Sequence, residues 1–123
     1  MANTNRTLLY LGAAACTGLA GILHLMLVPS SITAGIQYTM IFLISGMAQV
    51  FWVLPMIRRW SGIWNIIGIA GTAVLVGLTG YVVFESVRNP QLTPPGMTEL
   101  AVAIEIFQIS YVIITAIIIV TRK

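Results

Sequence analysis

Two ionisable side chains lie inside apolar segments of this sequence and are its first candidates for chemistry. His24 lies near the end of one apolar segment. Glu105 lies near the beginning of another, and Gln108 follows three residues later on the same helical face. A charged residue at the centre of a membrane helix costs about 2.5–3.5 kcal/mol on insertion, so each such group needs a partner or a function. We therefore treat His24, Glu105 and Gln108 as one candidate site.

Three roles are compatible with this set. The first is an interhelical clamp, in which hydrogen bonds stabilise the fold by about 0.6–2 kcal/mol each. The second is contact with a partner subunit, or with the headgroup of a lipid or quinone. The third is metal binding or proton relay, which one histidine and one or two carboxylates serve poorly, because metal sites need three or four protein ligands. We assign no metal ligand and no catalytic residue to this chain.

The elements that must position these residues are four long apolar segments, at about residues 8–28, 38–57, 63–84 and 100–120. A helix of about 20 residues is ~30 Å long, the thickness of a bilayer's hydrocarbon core. Hydrophobic residues make up 59% of the chain and charged residues 7%, whereas soluble domains carry about 25% charged residues. We predict an all-α integral membrane four-helix bundle, a single domain over residues 1–123, placed in the cell membrane as a multi-pass protein.

The few charges indicate topology rather than a binding patch for nucleic acid. Arg6 precedes the first segment, Arg58 and Arg59 separate the second from the third, and the last two residues, 122–123, are also basic. By the positive-inside rule both termini are cytoplasmic. Arg58, Arg59 and Trp60 are predicted to contact lipid headgroups, where each cation adds about 1 kcal/mol. A role in setting the membrane topology would explain the position of these residues equally well.

The connections carry three further predictions. Pro29 should end the first helix, because proline cannot continue the hydrogen-bond ladder. The short turn after Arg58 predicts that the second and third helices form an antiparallel hairpin. The connection over residues 87–97 holds three prolines and should be irregular and stiff; it is either a contact site outside the membrane or a plain connector.

Small residues mark two faces on which helices can approach closely. Ala14 and Gly18 form a small-xxx-small pair in the first segment, and Ala73 and Gly77 form another in the third. Each pair serves either packing within the bundle or contact with another subunit.

Five stretches together resemble small four-helix membrane proteins of ammonia-oxidising archaea: residues 21–29, 42–52, 58–60, 68–73 and 104–109. Some proteins of that group are accessory subunits of the archaeal copper-dependent ammonia monooxygenase. The resemblance implies a noncatalytic role beside other integral membrane subunits, with lipids around the chain. Copper is then expected in the partner subunits and no cofactor in this chain. No catalytic residue is carried over, because no catalytic motif matches.

The number and length of the helices are also similar to the DoxX-like group of membrane proteins, some of which are linked to quinone-dependent oxidation. That resemblance implies a redox-linked protein that binds quinone itself, with His24 and Glu105 as hydrogen-bond partners. The leading prediction is a noncatalytic accessory subunit of a membrane enzyme complex, and the quinone-binding protein is the alternative.

Overall fold

A computed structural model describes residues 2–59, 61–92 and 96–121 of the chain. The elements in these ranges are α1 (Ala2–Ala34), α2 (Ile36–Phe51), α3 (Val53–Ile57), α4 (Gly62–Arg88), a 3₁₀ turn (Pro90–Leu92) and α5 (Met97–Thr121). Helices α2 and α3 together form one span, so four stretches are long and apolar enough to cross a membrane. The prediction of an all-α, multi-pass membrane protein is confirmed.

The first helix runs through Pro29 and continues to Ala34, so the prediction that Pro29 ends it is wrong. A proline removes one backbone donor from the ladder, but membrane helices tolerate this because neighbouring groups satisfy the freed backbone. The chain reverses instead at Gly35, whose φ of 143° suits glycine far better than other residues. The first connection is therefore the single residue Gly35 and not an extended loop.

The second span is interrupted at Trp52, where α2 ends and α3 begins. Pro55 causes the break, because it has no N–H to donate to the carbonyl four residues earlier. Helical bonding continues on both sides, from Trp52 N to Ala48 O and from Arg58 N to Leu54 O, each at 2.9 Å. The chain then leaves the helix through Arg59, which adopts a left-handed φ of 52°.

Helix α1 is the centre of the packing. It lies against α2, α3 and α5, and α5 in turn packs against α4. Helices α2 and α4 do not pack along their lengths, so the predicted hairpin of the second and third spans is wrong. The rings of Trp52 and Trp64 still meet near the turn, with centroids 5.6 Å apart. Beyond that contact the two helices leave a lateral cleft.

The partner of α2 is α1 because two glycines bring their backbones together. A methyl group added to Gly21 would lie 2.8 Å from both Gly46 O and Val50 N. A methyl on Gly46 would lie 2.9 Å from Gly21 O. Close backbone approach of this kind is what stabilises helix pairs in membranes, where burial from water supplies no driving force.

The bundle interior carries polar side chains, whereas the outward surface is covered by large aliphatic ones. Asn65, Thr72, Thr79 and Ser86 are all buried on α4, and each is seven residues from the next. Tyr10, Thr17 and His24 repeat the same spacing on the buried side of α1. A seven-residue repeat stays on one seam when helices cross at a shallow left-handed angle. The polar seam therefore faces neighbouring helices and the aliphatic surface faces lipid.

Candidate functional site

The best-defined polar contact in the interior joins His24 of α1 to Gln49 of α2. Both side chains are buried, and Nδ1 of His24 lies 2.6 Å from Oε1 of Gln49. Since Oε1 is an acceptor, Nδ1 carries the hydrogen and donates it. The ring of Phe42 packs at 6.0 Å from the imidazole centroid. The oxygen of the Gln49 carboxamide is thereby fixed, and its NH₂ group remains as a donor of two hydrogens.

A second bond holds the same point of α2. Thr17 Oγ1 donates to the backbone carbonyl of Gln49 over 3.1 Å. Thr17 lies seven residues before His24, so both donors project from the same seam of α1. Gln49 is therefore anchored to α1 through both its main chain and its side chain.

The predicted clamp of His24, Glu105 and Gln108 does not form, because His24 bonds to Gln49 instead. Gln108 is fully buried, and neither atom of its carboxamide has a hydrogen-bond partner among the described residues. Glu105 faces α4, where a methyl on Gly80 would lie 3.6 Å from its Oε2. The prediction grouped these residues because they lie at a similar depth in the membrane. Depth does not determine which way each helix is rotated about its axis.

The cleft between α2 and α4 has a volume of about 220 Å³. Most of its wall is apolar, but four buried polar side chains take part in the lining: Thr17, Ser45, Gln49 and Thr72. Exposed residues at its border, Ile44 and Ala48 on α2 and Ile67 and Gly71 on α4, place its mouth on the lipid-facing surface. The cleft is thus an apolar recess in the membrane-embedded surface with hydrogen-bonding groups inside.

Trp52 closes one side of the cleft together with Gly68. Its Nε1 is buried and lies beside the hydroxyl of Tyr111. A methyl on Gly68 would lie 2.6 Å from this nitrogen and would overlap the hydroxyl of Tyr111. Glycine at position 68 therefore makes room for the indole nitrogen of Trp52 and for the hydroxyl of Tyr111 behind it.

The two small-residue pairs have different surroundings. Ala14 is buried, and a methyl on Gly18 would lie 3.0 Å from Val53 Cγ2, so this pair packs within the bundle. Ala73 and Gly77 are exposed on α4, and a methyl on Gly77 would meet nothing within 4 Å. The prediction that the second pair packs within the bundle is therefore wrong. Its contact with another subunit stays a prediction.

The predicted headgroup residues lie at the turn between α3 and α4. Arg58 and Arg59 are exposed. The Arg59 guanidinium lies 4.8 Å from the ring centroid of Tyr10 and donates a hydrogen bond to Thr7 Oγ1. Arg59 thus attaches this turn to α1 by a cation–π contact. Trp60 lies outside the described residues.

The described residues contain no group of three His, Cys, Asp or Glu side chains that could hold a metal ion. Part of the proline-rich connection is regular, since Pro90–Leu92 form a 3₁₀ turn, while residues 93–95 lie outside the described ranges. Comparison with models of protein families, with curated proteins and with solved structures finds no match for this chain.

Proposed function

We propose that this protein is a noncatalytic subunit of a larger integral membrane assembly, and that the face of α4 bearing Ala73 and Gly77 docks against a partner helix. One observation carries the proposal: Ala73 and Gly77 are exposed. Within the described residues, α4 packs mainly against α5. On a 100° per residue helix, Ala73 and Gly77 are 40° apart and form one face. Buried Thr79 lies about 160° from Gly77, so the face points away from the bundle.

Packing energetics favour a protein partner over lipid at this face. Small residues allow two helix backbones to approach closely, and van der Waals contact is the main force between helices in a membrane. Large side chains lie beside the small residues, among them the aliphatic Ile66 and Val74 and the aromatic Tyr81, each with an exposed fraction above one half. A partner helix would seat on the small residues and be enclosed by the large ones, in the manner of ridges and grooves.

The resemblance to small membrane proteins of ammonia-oxidising archaea suggests which assembly this is. In this proposal the partners are the subunits of a copper-dependent ammonia monooxygenase, and the partners hold the copper. This chain would shape the assembly and contribute its docking face, while its other aliphatic surfaces contact lipid.

Mild extraction of native membranes, followed by native-gel separation and mass spectrometry of the band, tests the role. The expected result is co-migration with larger membrane subunits at a fixed stoichiometry. Ala73→Leu should release the chain from that band, whereas Ala15→Leu should not. Ala15 is the matched control, because it is likewise an exposed alanine but lies on α1. Migration of the wild type alone, or equal behaviour of the two variants, would contradict the proposal.

A second candidate is a redox-linked protein that binds quinone near His24 and Glu105. It is favoured by the burial of His24 and by Glu105 Oε1, which is buried and lacks a partner among the described residues. In that case His24→Ala and Glu105→Gln should each abolish quinone-dependent turnover while the assembly remains intact. Loss of assembly without a quinone requirement would exclude this candidate.

A further inference from the structure

We propose that the cleft between α2 and α4 is a binding site for a lipid-soluble molecule of one or two rings that carries a carbonyl oxygen. The site is independent of the docking face. Gly71 lines the cleft, Gly77 lies on the docking face, and the two positions are about 120° apart around the helix. Binding in the cleft is therefore independent of the subunit role.

The size of the cleft restricts the occupant to a compact ring system. Its volume is about 220 Å³, above the roughly 150 Å³ of an engineered protein cavity that holds benzene. It is below the roughly 300–1,000 Å³ of pockets that enclose drug-sized ligands. A helix of another subunit, at about 10 Å in diameter, is too wide to enter. Any longer tail of the ligand would extend through the mouth of the cleft into lipid.

The carboxamide of Gln49 favours an occupant that accepts a hydrogen bond. Gln49 is 3% exposed and lines the cleft, and its Oε1 is already engaged by His24. What its carboxamide can still offer is therefore the NH₂ group, a donor. A donor in an apolar recess selects a carbonyl compound over a hydrocarbon of the same shape.

The position of the mouth determines how the ligand arrives. Ile44, Ala48, Ile67 and Gly71 form an exposed border on the lipid-facing side. Water-soluble ligands do not reach this surface, whereas a molecule dissolved in the bilayer reaches it by lateral diffusion. The chemistry that fits is thus that of aryl ketones and quinones, which share a planar carbonyl.

Photolabelling of the full chain in lipid nanodiscs with benzophenone tests the site. This probe is an aryl ketone that attaches to nearby C–H bonds on irradiation, and peptide mass spectrometry locates the adducts. Adducts are expected within residues 44–52 and 67–75. Excess 1,4-naphthoquinone should suppress them, while naphthalene, which has the same rings without carbonyls, should not. Equal competition by naphthalene would overturn the proposed donor site.

Gly71→Leu and Gly77→Leu form a matched pair of variants. A methyl added at either position meets nothing within 4 Å, so the Cβ of either variant enters open space. Gly71→Leu should fill the cleft and reduce labelling at least tenfold, and Gly77→Leu should leave labelling unchanged. Gln49→Met should weaken competition by 1,4-naphthoquinone by about 5–10-fold, the effect of one hydrogen bond. Full labelling of Gly71→Leu would overturn the site.

Glu105→Gln separates this proposal from quinone binding near His24 and Glu105. Glu105 does not line the cleft, so cleft binding should be unchanged in this variant. Loss of labelling in Glu105→Gln with retention in Gly71→Leu would assign the ligand to the other site and overturn the present one.

Discussion

Nδ1 of His24 lies 2.6 Å from Oε1 of Gln49, and this contact fixes α1 against α2 in the bundle interior. The same carboxamide lines the cleft between α2 and α4. One glutamine therefore takes part both in the core and in the candidate binding surface. His24 does not line the cleft. A change at His24 should nevertheless alter the orientation of the Gln49 NH₂ group, which is the donor in the cleft.

A double-mutant cycle measures the bond between His24 and Gln49. Hydrogen bonds between membrane helices contribute about 0.6–1.7 kcal/mol, so His24→Ala and Gln49→Ala should show a coupling energy in that range. Reversible unfolding in mixed micelles supplies the free energies. The cycle of His24→Ala with Gln108→Ala is the control, and its coupling should be below about 0.5 kcal/mol. A larger coupling energy for His24 with Gln108 than for His24 with Gln49 would contradict the bond described here and support the predicted clamp.

Gly68→Ala should destabilise the fold by about 1–3 kcal/mol, because the added methyl would overlap the Tyr111 hydroxyl and crowd the Trp52 indole. Gly77→Ala should be neutral or stabilising by up to about 1 kcal/mol, since its methyl meets open space and alanine favours helix. Unfolding of the isolated chain compares the two. Tyr111→Phe should recover part of the loss in Gly68→Ala by removing the hydroxyl. Equal stability of the two alanine variants would contradict the packing described at Gly68.

The place at which the first helix ends gives a contrasting pair of substitutions. Pro29→Ala restores a backbone donor within α1 and should leave helix content unchanged or slightly higher. Gly35→Ala forces a side chain into a φ of 143° and should cost about 1–3 kcal/mol. Circular dichroism and unfolding measure both. A marked loss of stability in Pro29→Ala with none in Gly35→Ala would place the turn at the proline.

The positive-inside prediction is tested by cysteine labelling. Cys16 is the only cysteine of the chain, so Cys16→Ala provides a background without thiols. Ser61 and Gln91 are exposed at opposite ends of α4 and its following turn. In intact cells a membrane-impermeant thiol reagent should label Gln91→Cys and leave Ser61→Cys unmodified until the membrane is opened. The reverse pattern would place both termini outside.

Hydropathy predicted the four spans well, because length and apolarity depend on local sequence alone. The ends of the helices were predicted less well. Pro29 predicts a helix end in the wrong place, because the reversal depends on the backbone freedom of Gly35. Likewise, a short turn at Arg58 suggested that neighbouring spans would pair. In fact the backbone contact of Gly21 with Gly46 pairs α2 with α1, and this contact depends on long-range packing.

The candidate site was predicted less well than the fold, because depth in the membrane says nothing about which way a side chain faces. His24 was placed correctly inside a span, but its partner is Gln49 and not Glu105. The seven-residue spacing of Asn65, Thr72, Thr79 and Ser86 is visible in the sequence and would have indicated the buried seam of α4. The cleft has no such signal, since it arises where two helices fail to pack.

The most direct test of the subunit role is photo-crosslinking in native membranes from a photoreactive residue placed at Ala73. A crosslink to a different membrane polypeptide of defined mass is expected, and only lipid adducts are expected from the same residue placed at exposed Ala15. Peptide mass spectrometry of the crosslinked band then identifies the partner. Lipid adducts alone at both positions would contradict the proposal that this face of α4 docks against another subunit.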